Sequence, residues 1–256
     1  MTAHDLRRPA TIALCALAVL PSCDGAGDRV AAGAERTRAE AAGVDVRVVV
    51  EGVAGAPDVT LEGAGAFDFA RRRGRIAFGV EAARGAPAQR FEAVYDGGRA
   101  YVRAPFLSTP GARPWLALDV DDALAQHEAG VLTIVARSDP AVVLGVLDEL
   151  RDEAVEEGEG SLAGADATRY RVSAAPPYGD ADVAVDVWLD ERERVRRVHY
   201  TTTVLVPAVA GGEIQQDVAT TLTLTSFGAV PQVRVPPPSR TADAERALDA
   251  VGAEGD

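Results

Sequence analysis

Few side chains in this 256-residue chain could do chemistry by type and spacing. The three His residues are His4, His127 and His199. His127 stands beside Glu128 and could serve as a general base, whereas His199 sits mid-strand in Arg196-Arg197-Val198-His199-Tyr200. Neither has a companion at ligand spacing, and a packed or surface imidazole accounts for each. The chain has no Gly-x-Ser-x-Gly elbow, no phosphate loop and no His-Glu-x-x-His pair. Asp119-Val120-Asp121-Asp122 offers carboxylates to a divalent cation, but the glycine and distal glutamate of a calcium loop are missing. A helix start explains the same residues. Glu153, Glu156, Glu157 and Glu159 could pair as acid and base for glycoside cleavage. Equally, they protect the edge of a sheet by charge. The expectation is a protein that is not an enzyme, with no catalytic residues, no metal and no cofactor.

The thiol of Cys23 is different. Arg7 and Arg8 precede an apolar run from Ala10 to Leu20, broken only by Thr11, and the run closes in Leu20-Pro21-Ser22-Cys23. About ten apolar residues suit a signal-peptide core and fall far short of the ~20 that a spanning helix needs. The ending resembles a lipobox, the bacterial lipoprotein signal. By that resemblance residues 1–22 are a signal peptide, and Cys23 is the first mature residue and the lipidation site. The protein would then work outside the cytoplasm, held on the cell membrane by a lipid anchor. One acyl chain binds a bilayer only marginally, so stable attachment takes two or more.

Composition narrows the partners. The formal net charge is −13, and removal of residues 1–22 takes away a further net +1. Such an acidic surface argues against nucleic acid and against electrostatic adhesion to anionic lipid. All 26 basic residues are Arg, a pattern of codon usage rather than function. The Cys residues are Cys15, in the signal, and Cys23, so no internal disulfide or Cys-based metal site is available to the mature domain.

Residues 23–43 are rich in Ala, Gly and charge and are expected to be a lipidated tether, with a short helix over 30–42 weakened by Gly33. From Val44 the pattern alternates. Val44, Val46, Val48 and Val50 share one side of a strand. Tyr95-Asp96-Gly97-Gly98 turns a hairpin in which glycine supplies positive φ. Helical spacing takes over in the middle. Asp139 is placed to cap, Pro140 suits the first turn, and Val143, Leu144, Leu147 and Leu150 fall on one face of a helix expected to reach Arg151. Strands resume from Ala154, including Val183, Val185, Val187 and Leu189 on one face and a Thr-rich run at 214–226. Pro236-Pro237-Pro238 ends the domain, leaving 239–256 as an acidic tail. About nine to eleven antiparallel strands with two or three helices make an α+β domain over 44–238.

Apolar residues rather than polar ones are the candidates for function. A strongly bent antiparallel sheet with helices across its concave face can leave a space between its layers. Each methylene withdrawn from water is worth about 0.8 kcal/mol, which makes an acyl chain a natural occupant. A fully packed core fits the same periodicity.

Four stretches, taken in order, resemble a known family. They are Tyr95-Asp96-Gly97-Gly98-Arg99-Ala100-Tyr101-Val102, Asp139-Pro140 followed by Leu144 and Leu147, Gly164-Ala165-Asp166-Ala167-Thr168-Arg169-Tyr170, and Val187-Trp188-Leu189-Asp190 through Arg194-Val195-Arg196-Arg197. The closing Thr225-Ser226-Phe227-Gly228 and Val235-Pro236-Pro237-Pro238 fit as well. Together they resemble the LppX/LprA/LprF/LprG lipoproteins of actinobacteria, which share the architecture of the lipoprotein carriers LolA and LolB. The resemblance implies a half-barrel that binds acylated lipids or glycolipids in an apolar cavity and moves them through the cell envelope with envelope transport proteins as partners. Val143, Leu144, Leu147 and Leu150 are the expected cavity lining. Asp190-Glu191-Arg192-Glu193 stands where a glycine-containing turn is expected. The alternative is a structural or interaction lipoprotein with a filled core and no ligand.

Overall fold

The computed structural model describes residues 25–52, 57–81, 89–105, 107, 113–125, 131–150, 154–162, 164–176, 182–207, 212–228, 230–244 and 247. Its strands are β1 (Ala41–Val50), β2 (Val59–Asp68), β3 (Arg73–Glu81), β4 (Gln89–Asp96), β5 (Arg99–Arg103), β6 (Trp115–Asp119), β7 (Val155–Leu162), β8 (Ala165–Ala174), β9 (Val183–Asp190), β10 (Val195–Pro207), β11 (Glu213–Phe227) and β12 (Thr241–Asp243). The helices are α1 (Ala26–Arg38), α2 (Val120–Ala125), α3 (Val131–Arg137) and α4 (Pro140–Gly145).

All twelve strands belong to one sheet, ordered β12-β6-β5-β4-β3-β2-β1-β11-β10-β9-β8-β7. Every described pairing is antiparallel except β12 on β6. The sheet curls without closing, so β7 and β12 remain its edges, and the fold is the α+β half-barrel expected.

Period-two alternation gives the sheet one apolar face. Cross-strand register aligns that face into rows. One row runs Leu116, Val102, Ala93, Ile76, another Leu222, Val198, Val187, Tyr170. Two glycines on this inner face permit its aromatic packing. Gly63 lies opposite Phe78 and Gly74 opposite Phe67, and a Cβ on either glycine would collide with the facing ring. Phe78 stacks on Phe91 at 4.9 Å, and Phe67 meets Tyr95 edge-on at 6.1 Å.

The helices pack on the same side. Val30, Gly33, Ala34 and Thr37 form the buried stripe of α1 at helical spacing. A Cβ on Gly33 would come within 2.9 Å of the Glu193 carbonyl, so the helix lies close on the β9–β10 turn. Thr37 Oγ1 donates to Gly33 O and accepts from Val195 N–H, pinning α1 to β10. From Ala26 onward, therefore, the segment read as a tether is a docked helix. Its small-residue stripe buries little area per residue, which hides its amphipathicity, yet it lets two backbones approach closely.

Two further readings change. The helix expected from Asp139 to Arg151 ends at Gly145 and continues as a 3-10 turn over Val146–Asp148, while Leu150 bridges to Ala174. Asp139 does cap it, accepting Ala141 N–H at 2.8 Å. The proline run does not end the chain's part in the fold. Pro238–Arg240 turns the backbone, Thr241 Oγ1 donates to Pro237 O, and β12 then covers the free edge of β6. Ala242, Ala244 and Ala247 are buried there, residues too small to raise a periodic signal. The helix α3 lies in the helical middle of the chain, at a stretch where the sequence pattern marks no helix of its own. It is anchored from the sheet, where Tyr95 Oη donates to Val135 O at 3.0 Å.

Candidate functional site

The inner face of the sheet and the helices on it form the candidate site. Its two ends differ. At the end where Phe69–Arg72, Gly97-Gly98 and Glu191-Arg192 turn the chain, polar groups tie the layers together. Asp190 accepts from Arg192 N–H and Arg194 N–H and from the Arg194 guanidinium, which lies 3.9 Å from the Phe227 ring. Burial would raise the Asp190 pKa, but these donors outweigh it and hold the carboxyl below its usual value. Glu193 takes φ of +55° where the resemblance suggested glycine. Its carboxylate pairs with Arg29 and Arg36 on α1.

Asp139 is also at this end and behaves oppositely. Burial raises its pKa to about 6, against the lowering effects of the Ala141 N–H and the Arg72 charge. Burial also pushes the Tyr95 hydroxyl well above 10, with Asp139 adding to the rise.

At the other end the inner face finishes in apolar residues that are incompletely covered. Val50, Val80, Val183 and Val204 are half-buried against the core, and Val59, opposite Val50, is 40% exposed. Just inside this rim lie Thr202 and Thr220, both buried, with hydroxyls that have no hydrogen-bond partner. Sequence reasoning missed this pair. Thr201-Thr202-Thr203 shows no alternation, so nothing in the run distinguishes the inward residue from its neighbours.

The expected cavity lining is on the apolar side. Val143, Leu144 and Leu147 are fully buried in the core and Leu150 is half-buried. None of the three grooves described, of about 580, 520 and 590 Å³, is lined by these four residues. The largest crosses the outer faces of β1, β2 and β11, past Arg47, Glu62 and Thr223.

That outer face is a charged lattice. Glu157 and Asp186 each pair with both Arg169 and Arg171, and Glu92 pairs with Arg75 and Arg103. His199 belongs here, its Nδ1 2.9 Å from Thr221 Oγ1. Glu156 and Glu159 lie on the exposed edge strand β7, where Glu156 meets Arg29. Asp119 caps α2, accepting Asp121 and Asp122 N–H. Among the described residues no three His, Cys, Asp or Glu side chains gather as a metal site. No described helix is long and apolar enough to cross a membrane. Cys23, His127 and Glu153 lie outside the described residues.

No family model matches the chain, and no curated protein matches it significantly. Among solved structures it is similar to LprF of Mycobacterium bovis, with 12% identity and a TM-score of 0.44 over 83% of this chain and 96% of that one. It is also similar to the lipoprotein LppX of Mycobacterium tuberculosis, with 11% identity and a TM-score of 0.44 over 82% and 97%. A LolA superfamily protein of Nitrosomonas europaea matches at 10% identity and a TM-score of 0.30 over 84% and 96%.

Proposed function

We propose that this protein is a membrane-anchored lipoprotein that binds an acylated lipid or glycolipid between its curled sheet and its helices, for transport or presentation in the cell envelope. The observation that carries the reading is the apolar inner face, which runs across the sheet and ends at one side in the half-exposed Val50, Val80, Val183 and Val204. An acyl chain entering past this rim leaves water at about 0.8 kcal/mol per methylene. The sheet is a continuous ladder and holds its shape. The cover to which Val143, Leu144 and Leu147 belong is different, because α2, α3 and α4 are only six, seven and six residues long. Helices so short depend on tertiary contacts, so they can shift while an acyl chain takes over the contacts they give up. The action is passive shielding, without catalysis or cofactor. Cys23 supplies the anchor, outside the cytoplasm, and envelope transport proteins are the partners that load or receive the lipid.

A second reading has its own support. Leu144 and Leu147 are packed in the core and line none of the described grooves, which favours an interaction lipoprotein with a filled interior. Organic extraction and mass spectrometry of the purified protein, with titration of a fluorescent acyl lipid, separate the two. Co-purified acyl lipid and saturable binding are expected. Neither being found would leave the filled-core reading. The anchor is tested by Cys23→Ala, which is expected to abolish labelling by a fatty-acid probe, and retained label would refute lipidation at Cys23.

A further inference from the structure

Strands β10 and β11 carry Thr on both faces, and the two faces treat their hydroxyls differently. On the outer face three are bonded: Thr203 to Asp217 at 2.6 Å, Thr221 to His199 at 2.9 Å and Thr223 to Arg197 at 3.1 Å. On the inner face Thr202 is 2% exposed and Thr220 fully buried, and neither Oγ1 has a partner. Among the described residues these are the buried hydroxyls left without one.

Register places them together. Thr202 faces Val218, and Thr220 faces Tyr200 on one side and Val48 on the other. The two Thr are thus diagonal neighbours on one face, close enough to act on one molecule. Along β10 the inner-face order toward the rim is Tyr200, Thr202, Val204. Along β1, Val50 stands beside Val218. The hydroxyls therefore lie one step behind the half-exposed valines.

An unbonded buried hydroxyl is destabilising, and valine fills the same volume without it. Two such groups, side by side behind an apolar entrance, are explained if a polar atom of a ligand completes them. A hydroxyl can donate to a carbonyl oxygen, and an acyl ester brings that acceptor into an apolar setting.

We propose that Thr202 and Thr220 form a polar contact inside the apolar site that hydrogen-bonds the ester carbonyl of an acyl ligand, so that the site prefers acyl esters to bare hydrocarbon. The inference rests on the lipid-binding reading above and adds the feature of the ligand that is read.

The test uses Thr202→Val and Thr220→Val, singly and together, in the full chain. Two probes are titrated: a diacylglycerol with a pyrene-labelled chain, and pyrenyl-dodecane, which has no oxygen. Thermal unfolding is followed without probe. The double variant is expected to bind the diester about tenfold more weakly, to bind pyrenyl-dodecane as well as wild type or better, and to melt at the same temperature or higher. Unchanged diester binding, or equal losses for both probes with a lower melting temperature, would overturn the role of the hydroxyls while leaving lipid binding intact. Failure of the wild type to bind either probe would overturn the lipid-binding reading, and this one with it.

Discussion

The two ends of the curled sheet are held by different forces. At the turn end, directional polar contacts close the β9–β10 turn through Asp190 and Arg194, join strands to helices through Thr37 with Val195 and Tyr95 with Val135, and cap α4 at Asp139. At the rim end, Val50, Val59, Val80, Val183 and Val204 meet water in part. Hydrogen bonds fix one geometry and are costly to break, whereas apolar contacts are non-directional and can be exchanged for others of equal area. In the function proposed above, the stitched end is the frame and the apolar rim is where a lipid would enter.

The strongest way to break the contrast is at Asp190. Asp190→Ala strips an acceptor from Arg192 and Arg194 N–H and removes the closest partner of a guanidinium that is itself mostly buried. A loss of about 3 kcal/mol is expected in urea unfolding at neutral pH. Because the folded-state pKa of Asp190 is depressed, its contribution is present above the ordinary carboxylate value of 3.8 and lost as pH falls below it. A loss under about 1 kcal/mol at neutral pH would mean that the turn end is not held by its polar contacts.

Asp139 tests the same end with the opposite sign. Its folded pKa is raised to about 6 from 3.8, so the folded state takes up a proton at higher pH than the unfolded chain. Wild-type stability should therefore gain as pH falls from above 6 toward 4, and the charged carboxylate is a liability at neutral pH. Asp139→Asn keeps an oxygen to cap Ala141 N–H and removes that liability. Differential scanning at pH 7.5 should find the variant more stable by about 2 kcal/mol, with the advantage fading toward pH 4. A variant less stable than wild type at pH 7.5 would mean that the attraction to Arg72 outweighs burial.

The smallest stability effect belongs to the rim. Val204 is half-buried, so Val204→Glu should change unfolding by less than about 1 kcal/mol. Binding of a fluorescent acyl lipid should nevertheless fall at least about tenfold, since a carboxylate at the entrance must be desolvated or displaced. Equal binding by variant and wild type would remove the rim from the path of the ligand.

The α+β class, most of the strands and the cap at Asp139 were legible in the sequence because alternation, turn glycines and capping residues act locally. Val44, Val46 and Val48 point inward wherever the strand lies, and Gly97-Gly98 turns the chain whatever it turns toward. Local patterning also marked the apolar stripe of Val143, Leu144 and Leu147. Other features depended on distant partners. The helix α1 reads as a weak, glycine-containing segment until the turn at Glu193 and the N–H of Val195 are set against it. The strand β12 exists because β6 offers a free edge, not because Thr241-Ala242-Asp243 has strand character. Glu193, with its left-handed backbone, meets Arg29 and Arg36 only because α1, distant in sequence, docks on its turn. The division between Thr203, Thr221 and Thr223, all bonded, and Thr202 and Thr220, both buried without partners, is invisible in a run of Thr residues, since the pleat assigns each a face but cross-strand register decides which hydroxyls meet a charged or polar neighbour.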